Sequence, residues 1–201
     1  WMGAAKEEYR GPRVGAMVVP GTYTVRMTLD GRSLTQNVVV KPDPRDDFTQ
    51  AQYQAGYDFT KKYVDEYGQI DRVLNNMDAI RKSLDAAAAY ASKNGNSSLS
   101  SQVSAAQQTW QDVFSTFTAD YHNDEDSIQR SGELRESIPR GGFPLQQLPP
   151  TAAELDYAKR FDAAYQAAFA KYDDFVKSLG SLQTALKDAG HPLQGVEPVT
   201  P

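Results

Sequence analysis

Between Thr49 and Lys93 the apolar residues Tyr63, Tyr67, Ile70, Leu74, Met77, Leu84 and Ala88 recur at three- and four-residue intervals. That spacing places them on one face of an α-helix, because 3.6 residues complete a turn. Thr49 with Gln52 three residues on has the form of a capping box, in which each side chain satisfies a backbone N–H of the first turn. The pattern predicts one helix over residues 49–93, roughly 65 Å long at 1.5 Å per residue. A compact core cannot cover a rod of that length unless other helices run beside it. The rest of the chain is therefore expected to supply them.

Asn94-Gly95-Asn96 stops the first helix, since Gly just past a helix end readily takes the left-handed conformation. Ser97 or Ser98 can cap the next. Leu99, Val103, Ala106, Trp110, Val113, Phe117 and Tyr121 repeat at the same spacing and predict a second helix over residues 97–130, antiparallel to the first across a short turn. Residues 131–150 hold Gly132, Pro139, Gly141, Gly142, Pro144, Pro149 and Pro150, which is loop chemistry. Ile138, Phe143, Leu145 and Leu148 suggest that this loop lies against the bundle. Thr151 with Glu154 forms a second capping box. Leu155, Phe161, Tyr165, Ala168, Tyr172, Phe175, Leu179, Leu182 and Leu186 then make a third stripe over residues 151–189, stopped by Gly190 and Pro192. The seam alternates aromatic residues with Ala, large against small. Residues 191–201, with Pro192, Pro198 and Pro201, read as an extended tail or the start of a linker.

Ahead of the helices the period changes to two. Tyr23, Val25, Met27 and Leu29 alternate with Thr24, Arg26 and Thr28, the pattern of a half-buried strand. Asp30-Gly31 supplies two residues that accept positive φ, as a type I′ turn requires, and sets Leu34, Gln36 and Val38 opposite Met27, Val25 and Tyr23. Pro20-Gly21 marks the entry to this hairpin and Pro42 and Pro44 its exit, because proline cannot donate to a ladder. A lone two-stranded hairpin is marginal in water and needs further strands or a helical surface over its apolar face. Residues 14–19 and a start at Trp1, with neither an initiator Met nor a signal peptide, offer little toward that. The expectation is a piece of something longer, cut inside a β-domain, or a domain whose remaining strands come from another chain.

Gly11-Pro12-Arg13, then Pro20-Gly21-Thr22-Tyr23-Thr24-Val25-Arg26, the Asp30-Gly31 turn and the exit Val40-Lys41-Pro42-Asp43-Pro44-Arg45 together resemble the second half of a small Ig-like domain of the flagellar-hook-capping type. Followed by long helices, that half-domain is similar to the C-terminal region of large bacterial exported proteins built on sortilin-like or sialidase-like β-propellers, often labelled glycosyl hydrolases. The likeness is specific over residues 11–45 and general over the helices. Residues 15–18 depart from it as an insertion between the Gly-Pro-Arg and Pro-Gly elements. The resemblance implies an extracytoplasmic bacterial setting. No propeller repeat is present, so no propeller chemistry passes to residues of this chain.

The fold class that follows is mainly α with a small β part. A partial Ig-like segment over residues 1–45, with its hairpin at 22–40, precedes a long antiparallel three-helix bundle over 46–190. With 201 residues, 40% hydrophobic and 23% charged, the composition is that of an ordinary soluble protein and no membrane span is expected. A net charge of −5, with Lys and Arg scattered among acidic residues, argues against a nucleic-acid footprint. Zero cysteines exclude disulfides and thiol chemistry but fit either compartment.

Several residues invite a functional reading. His122 with Asp120, Asp124, Glu125 and Asp126 offers ligand types suited to a divalent cation. Their spacing matches no EF-hand or zinc motif, and a solvated acidic helix end accounts for them. His191, next to a helix stop, suits an imidazole interacting with the helix dipole. Tyr53, Tyr57, Tyr63, Tyr67, Tyr90, Tyr157, Tyr165 and Tyr172 could form a carbohydrate platform, but most share the core spacing and read as packing. Asp173-Asp174, as helix neighbours, cannot face each other like a glycosidase pair. Gly141-Gly142 lacks the Lys-Ser/Thr and preceding strand of a phosphate loop. No catalytic, cofactor-binding or metal site is assigned. The favoured role is a non-catalytic accessory module that closes, braces or oligomerises a larger exported protein, with the rest of that parent, a second chain or a second copy as partner. The alternative is a contribution to a propeller hydrolase site lying mainly outside this chain, which rests on fold analogy alone.

Overall fold

The computed structural model describes residues 15–118, 133–139 and 148–201. Its elements in chain order are β1 (Gly21–Leu29), β2 (Arg32–Val40), α1 (Gln50–Lys93), α2 (Ser97–Phe117), α3 (Ala152–Ser178) and α4 (Gly180–Asp188). The protein is mainly α with one small antiparallel β-hairpin, as the periodicities require.

Local chemistry sets the helix starts. Thr49 and Thr151 each accept a hydrogen bond from the N–H of the third residue of their helix, while the Gln52 and Glu154 side chains accept from the N–H of the cap residue, so both capping boxes form. Between α1 and α2, Gly95 takes φ +63°, and the Asn96 N–H reaches back to the Ala91 carbonyl at 3.0 Å. The cap of α2 is Asn96, whose side chain accepts from the Leu99 N–H at 3.0 Å. The carboxamide of Asn96 thus does the work expected of Ser97 or Ser98, being already placed by the Gly95 turn.

Contacts along the helices give an up-down-up arrangement. The indole N–H of Trp110 donates to the Met77 carbonyl at 2.7 Å, and Gln107 donates to Asp85, so α2 descends as α1 rises. Lys62 meets Asp162, Tyr165 meets Gln69 and Asn76 meets Tyr172, so α3 runs parallel to α1. The core between them includes Ile70, Leu74, Met77, Leu84, Trp110, Phe117, Phe161, Tyr165 and Tyr172, all buried. Phe117 sits edge-on to Phe169 at 5.5 Å and to Tyr172 at 6.4 Å, a favoured aromatic geometry.

Three features depart from the sequence-based expectation. The second helix ends at Phe117 rather than near residue 130, because Thr118 is extended (φ −157°, ψ 157°). The helix end is captured by residues 133–139: Leu134 and Arg135 donate their N–H groups to the carbonyls of Thr116 and Phe117 at 3.3 and 3.0 Å, and Thr118 donates to Glu136 at 2.7 Å. Beyond the end of α2 this segment supplies the third side of the bundle, with Leu134 and Ile138 buried. Second, the third helix is interrupted at Leu179, which separates α3 from α4, although Leu179, Leu182 and Leu186 carry the buried stripe on. Third, Leu155 lies 44% exposed at the head of its stripe. Leu148 is also exposed, while Phe143 and Leu145 lie outside the described residues.

The C-terminal residues 191–201 form neither helix nor strand and turn at Gly195 (φ +75°), and they are part of the bundle rather than a free tail. Leu193 is buried, and Val196 and Val199 pack on the core.

Candidate functional site

The hairpin forms in the expected register, with Met27 opposite Leu34, Val25 opposite Gln36 and Tyr23 opposite Val38. Asp30 (φ 48°) and Gly31 (φ 77°) make the turn with positive φ at both positions, which fits the right-handed twist of the flanking strands. The two faces differ. On one, Thr24 donates to Asn37 at 3.1 Å and Thr28 bonds Ser33 at 2.8 Å, with Arg26 and Thr35 beside them. On the other stand Tyr23, Val25, Met27, Leu29, Leu34 and Val38, with Gln36 and Arg32 among them.

No described residue covers that apolar face. Met27 is 59% exposed and Leu34 68%, and Val25, Leu29 and Val38 are exposed as well. Two nine-residue strands, at about 3.4 Å per residue and about 4.8 Å spacing, present roughly 300 Å² per face. A face of that size is in the range of the largest apolar patch on a typical monomer, and such patches are often functional. The hairpin is tied to the bundle at its base, where Gln50 Nε2 donates to the Pro20 carbonyl at 3.1 Å. Tyr23 is half-buried and donates to the Val19 carbonyl at 2.7 Å.

A second polar region lies between α1 and α3. Lys62 Nζ is 2.5 Å from Asp162 and 3.8 Å from Glu66, and the Tyr63 hydroxyl donates to Asp162 at 3.0 Å. Burial pushes the Glu66 carboxyl up to about 7, with Lys62 opposing the shift, and burial pushes the Tyr63 phenol up to about 12. Glu66 Oε2 is buried without a hydrogen-bond partner among the described residues. Nearby, Tyr165 bonds the Gln69 side chain. These groups join two helices, and no group of His, Asp or Glu among the described residues is arranged to hold a metal ion.

Comparison with family models, curated proteins and solved structures finds no match to this chain.

The residues singled out in the sequence fall as follows. Of the tyrosines, Tyr53, Tyr63, Tyr165 and Tyr172 are buried, Tyr57, Tyr67 and Tyr90 half-buried, and Tyr157 exposed. They do not present a shared surface platform. His191 packs its ring on Tyr90 at 4.3 Å, beside an open depression of about 680 Å³ that also touches Asp78, Lys82 and Ser83. Asp173 and Asp174 are each 3.7 Å from Lys177. Asp120, His122, Asp124, Glu125 and Asp126, with Gly141 and Gly142, lie outside the described residues. No helix among the described residues is long and apolar enough to cross a membrane.

Sequence reasoning missed Asp71. It is 2% exposed within the apolar stripe of α1, and Arg135 Nε donates to it at 2.8 Å. Arg135 also lies over the Tyr67 ring at 5.0 Å, a cation–π distance. Burial raises the Asp71 carboxyl and Arg135 opposes that rise. The visible signal was an Asp directly after Ile70 on the buried face, which demands a cation from elsewhere in the chain.

Proposed function

We propose that this chain is a non-catalytic accessory module in which the bundle is a stem and the hairpin its contact element. The hairpin contributes two strands to an Ig-like sheet that is completed by strands from the rest of a longer extracytoplasmic parent protein or from a second chain. The observation that carries this reading is the exposed apolar face of Val25, Met27, Leu29, Leu34 and Val38 on a hairpin whose opposite face is, Val39 apart, polar and internally hydrogen-bonded. One face prepared for burial and one for water is the pattern of a strand pair in a sandwich. The buried polar groups, by contrast, lie in helix contacts, where they hold α1 to its neighbours.

Amide hydrogen exchange tests this. In the isolated chain the hairpin amides should exchange far faster than those of α1 at Ile70 to Leu84. With additional sequence ahead of Trp1 from the parent, or with the completing partner, the hairpin amides should become protected. A monomeric isolated chain with hairpin amides protected as strongly as the bundle would refute the reading.

A further inference from the structure

Residues 193–199 lie in a furrow whose walls come from α1 on one side and α3 with α4 on the other, and the furrow reads their backbone with side chains. Gln183 of α4 makes a two-point clasp: its Oε1 accepts from the Leu193 N–H at 2.8 Å and its Nε2 donates to the Leu193 carbonyl at 3.2 Å. Ser83 of α1 accepts from the Gln194 N–H at 3.0 Å. The Glu197 carbonyl accepts from the Tyr172 hydroxyl of α3 at 2.7 Å, and Asn76 of α1 donates to both that carbonyl and the Tyr172 oxygen. Main-chain bonds hold peptides in binding grooves, while side-chain pockets set the sequence they accept.

Two positions supply that selection. Leu193 is 3% exposed in an apolar socket. Gly195 has φ +75°, and a Cβ there would lie 2.5 Å from the Asn76 carbonyl oxygen and 2.9 Å from Ala79 Cβ. Any other residue would meet the backbone of α1 as well as an unfavourable φ. The furrow therefore accepts a segment with an apolar side chain followed, two residues on, by a glycine at which the chain turns, the Glu197 N–H donating to the Gly195 carbonyl at 2.9 Å. The chain enters it through Gly190 (φ +80°) and the exposed pair His191 and Pro192, a short connection outside the helices.

We propose that this furrow is a peptide-binding groove and that residues 193–199 occupy it as a releasable latch. Binding depends on the bonds from Asn76, Ser83, Tyr172 and Gln183 and not on continuity with α4. A detached segment of the same sequence then binds in its place when the covalently attached one is displaced. The attached segment has the advantage of an effective concentration that for short connections reaches about the millimolar range, so a free peptide at micromolar concentration finds the groove of the native chain filled.

The test uses the full chain, two variants and a fluorescent peptide of residues 191–201. Gly195→Val introduces the clash with Asn76, and Leu193→Asp places a carboxylate in the apolar socket. Neither alters a groove wall. Each variant should keep its helical circular dichroism, lose exchange protection at the amides of residues 193 and 194, and bind the peptide at least tenfold more tightly than the native chain does. The same peptide carrying Gly195→Val should not bind. The proposal is overturned if both folded variants fail to bind the peptide or if the native chain binds it equally well. Loss of helical structure in both variants would also overturn it, since residues 193–199 would then be an inseparable part of the core.

Discussion

Replacing Arg135 by Met removes one charge from a buried pair while keeping an unbranched stem over Tyr67. In the native chain Asp71 is 2% exposed, one of its oxygens accepts from Arg135 Nε at 2.8 Å, and the other is buried without a hydrogen-bond partner among the described residues. The variant leaves a buried carboxylate without a cation among the described residues. Breaking a fully buried ion pair costs about 3 to 5 kcal/mol. The Arg135 side chain is 26% exposed, which weakens the pair through solvent screening, and Asp71 can escape part of the penalty by taking up a proton. An expected loss of about 2 to 4 kcal/mol at pH 7 follows.

The pH dependence gives this prediction a signature. Burial already holds the Asp71 carboxyl above its ordinary 3.8, and removing Arg135 raises it further. A carboxyl raised in the folded state binds a proton that the unfolded chain has released, so stability falls as pH climbs from the unfolded value through the folded one. The variant should therefore lie nearest the native chain at or below about pH 4 and diverge from it toward neutrality. Urea unfolding followed at 222 nm, at intervals between pH 4 and 8, measures the difference. In an Asp71→Asn background the same substitution should cost less than about 1 kcal/mol, because no charge is left to strand. A loss below about 1 kcal/mol at pH 7 in the native background, or one that does not grow with pH, would refute the reasoning.

Trp110→Ala should cost about 3 to 5 kcal/mol as a core cavity. Trp110→Phe should cost less, losing the indole bond to the Met77 carbonyl but keeping an aromatic ring in the core, and a loss under about 1 kcal/mol for the alanine variant in urea unfolding would place Trp110 outside the core. Glu66→Gln should remove a pH slope: with its carboxyl raised by burial to about 7, Glu66 withdraws stability as pH rises from its ordinary 4.5 through that value. The Gln variant should gain roughly 1 to 3 kcal/mol over the native chain at pH 8 and little at pH 4, and denaturant midpoints that move together at both pH values would contradict this. On the hairpin, Met27→Thr with Leu34→Thr should leave thermal unfolding of the helices unchanged, within about 0.5 kcal/mol. A large drop in the helical melting temperature would mean that this face already contributes to the bundle.

The features readable in the sequence are those fixed by neighbours a few residues apart. Alternation from Tyr23 to Leu29 and the φ demands at Asp30-Gly31 determine the hairpin and its register, because a slip of one residue would exchange its two faces. The two capping boxes and the three- and four-residue stripes determine where helices begin and which face they bury. Tertiary structure decided the rest, through backbone and charged groups whose partners are distant in the chain. The second helix stops at Phe117 because the N–H groups of Leu134 and Arg135 take its last carbonyls, a competition that no propensity around Thr118 announces. The depth of Asp71 depends on a cation 64 residues away. Residues 191–201, with three prolines, have the look of a linker, and only side chains on three helices, Asn76, Tyr172 and Gln183 among them, hold residues 193–199 in place. Even the hairpin divides this way: its alternation dictates an apolar face, but local spacing carries no information about which surface comes to cover it.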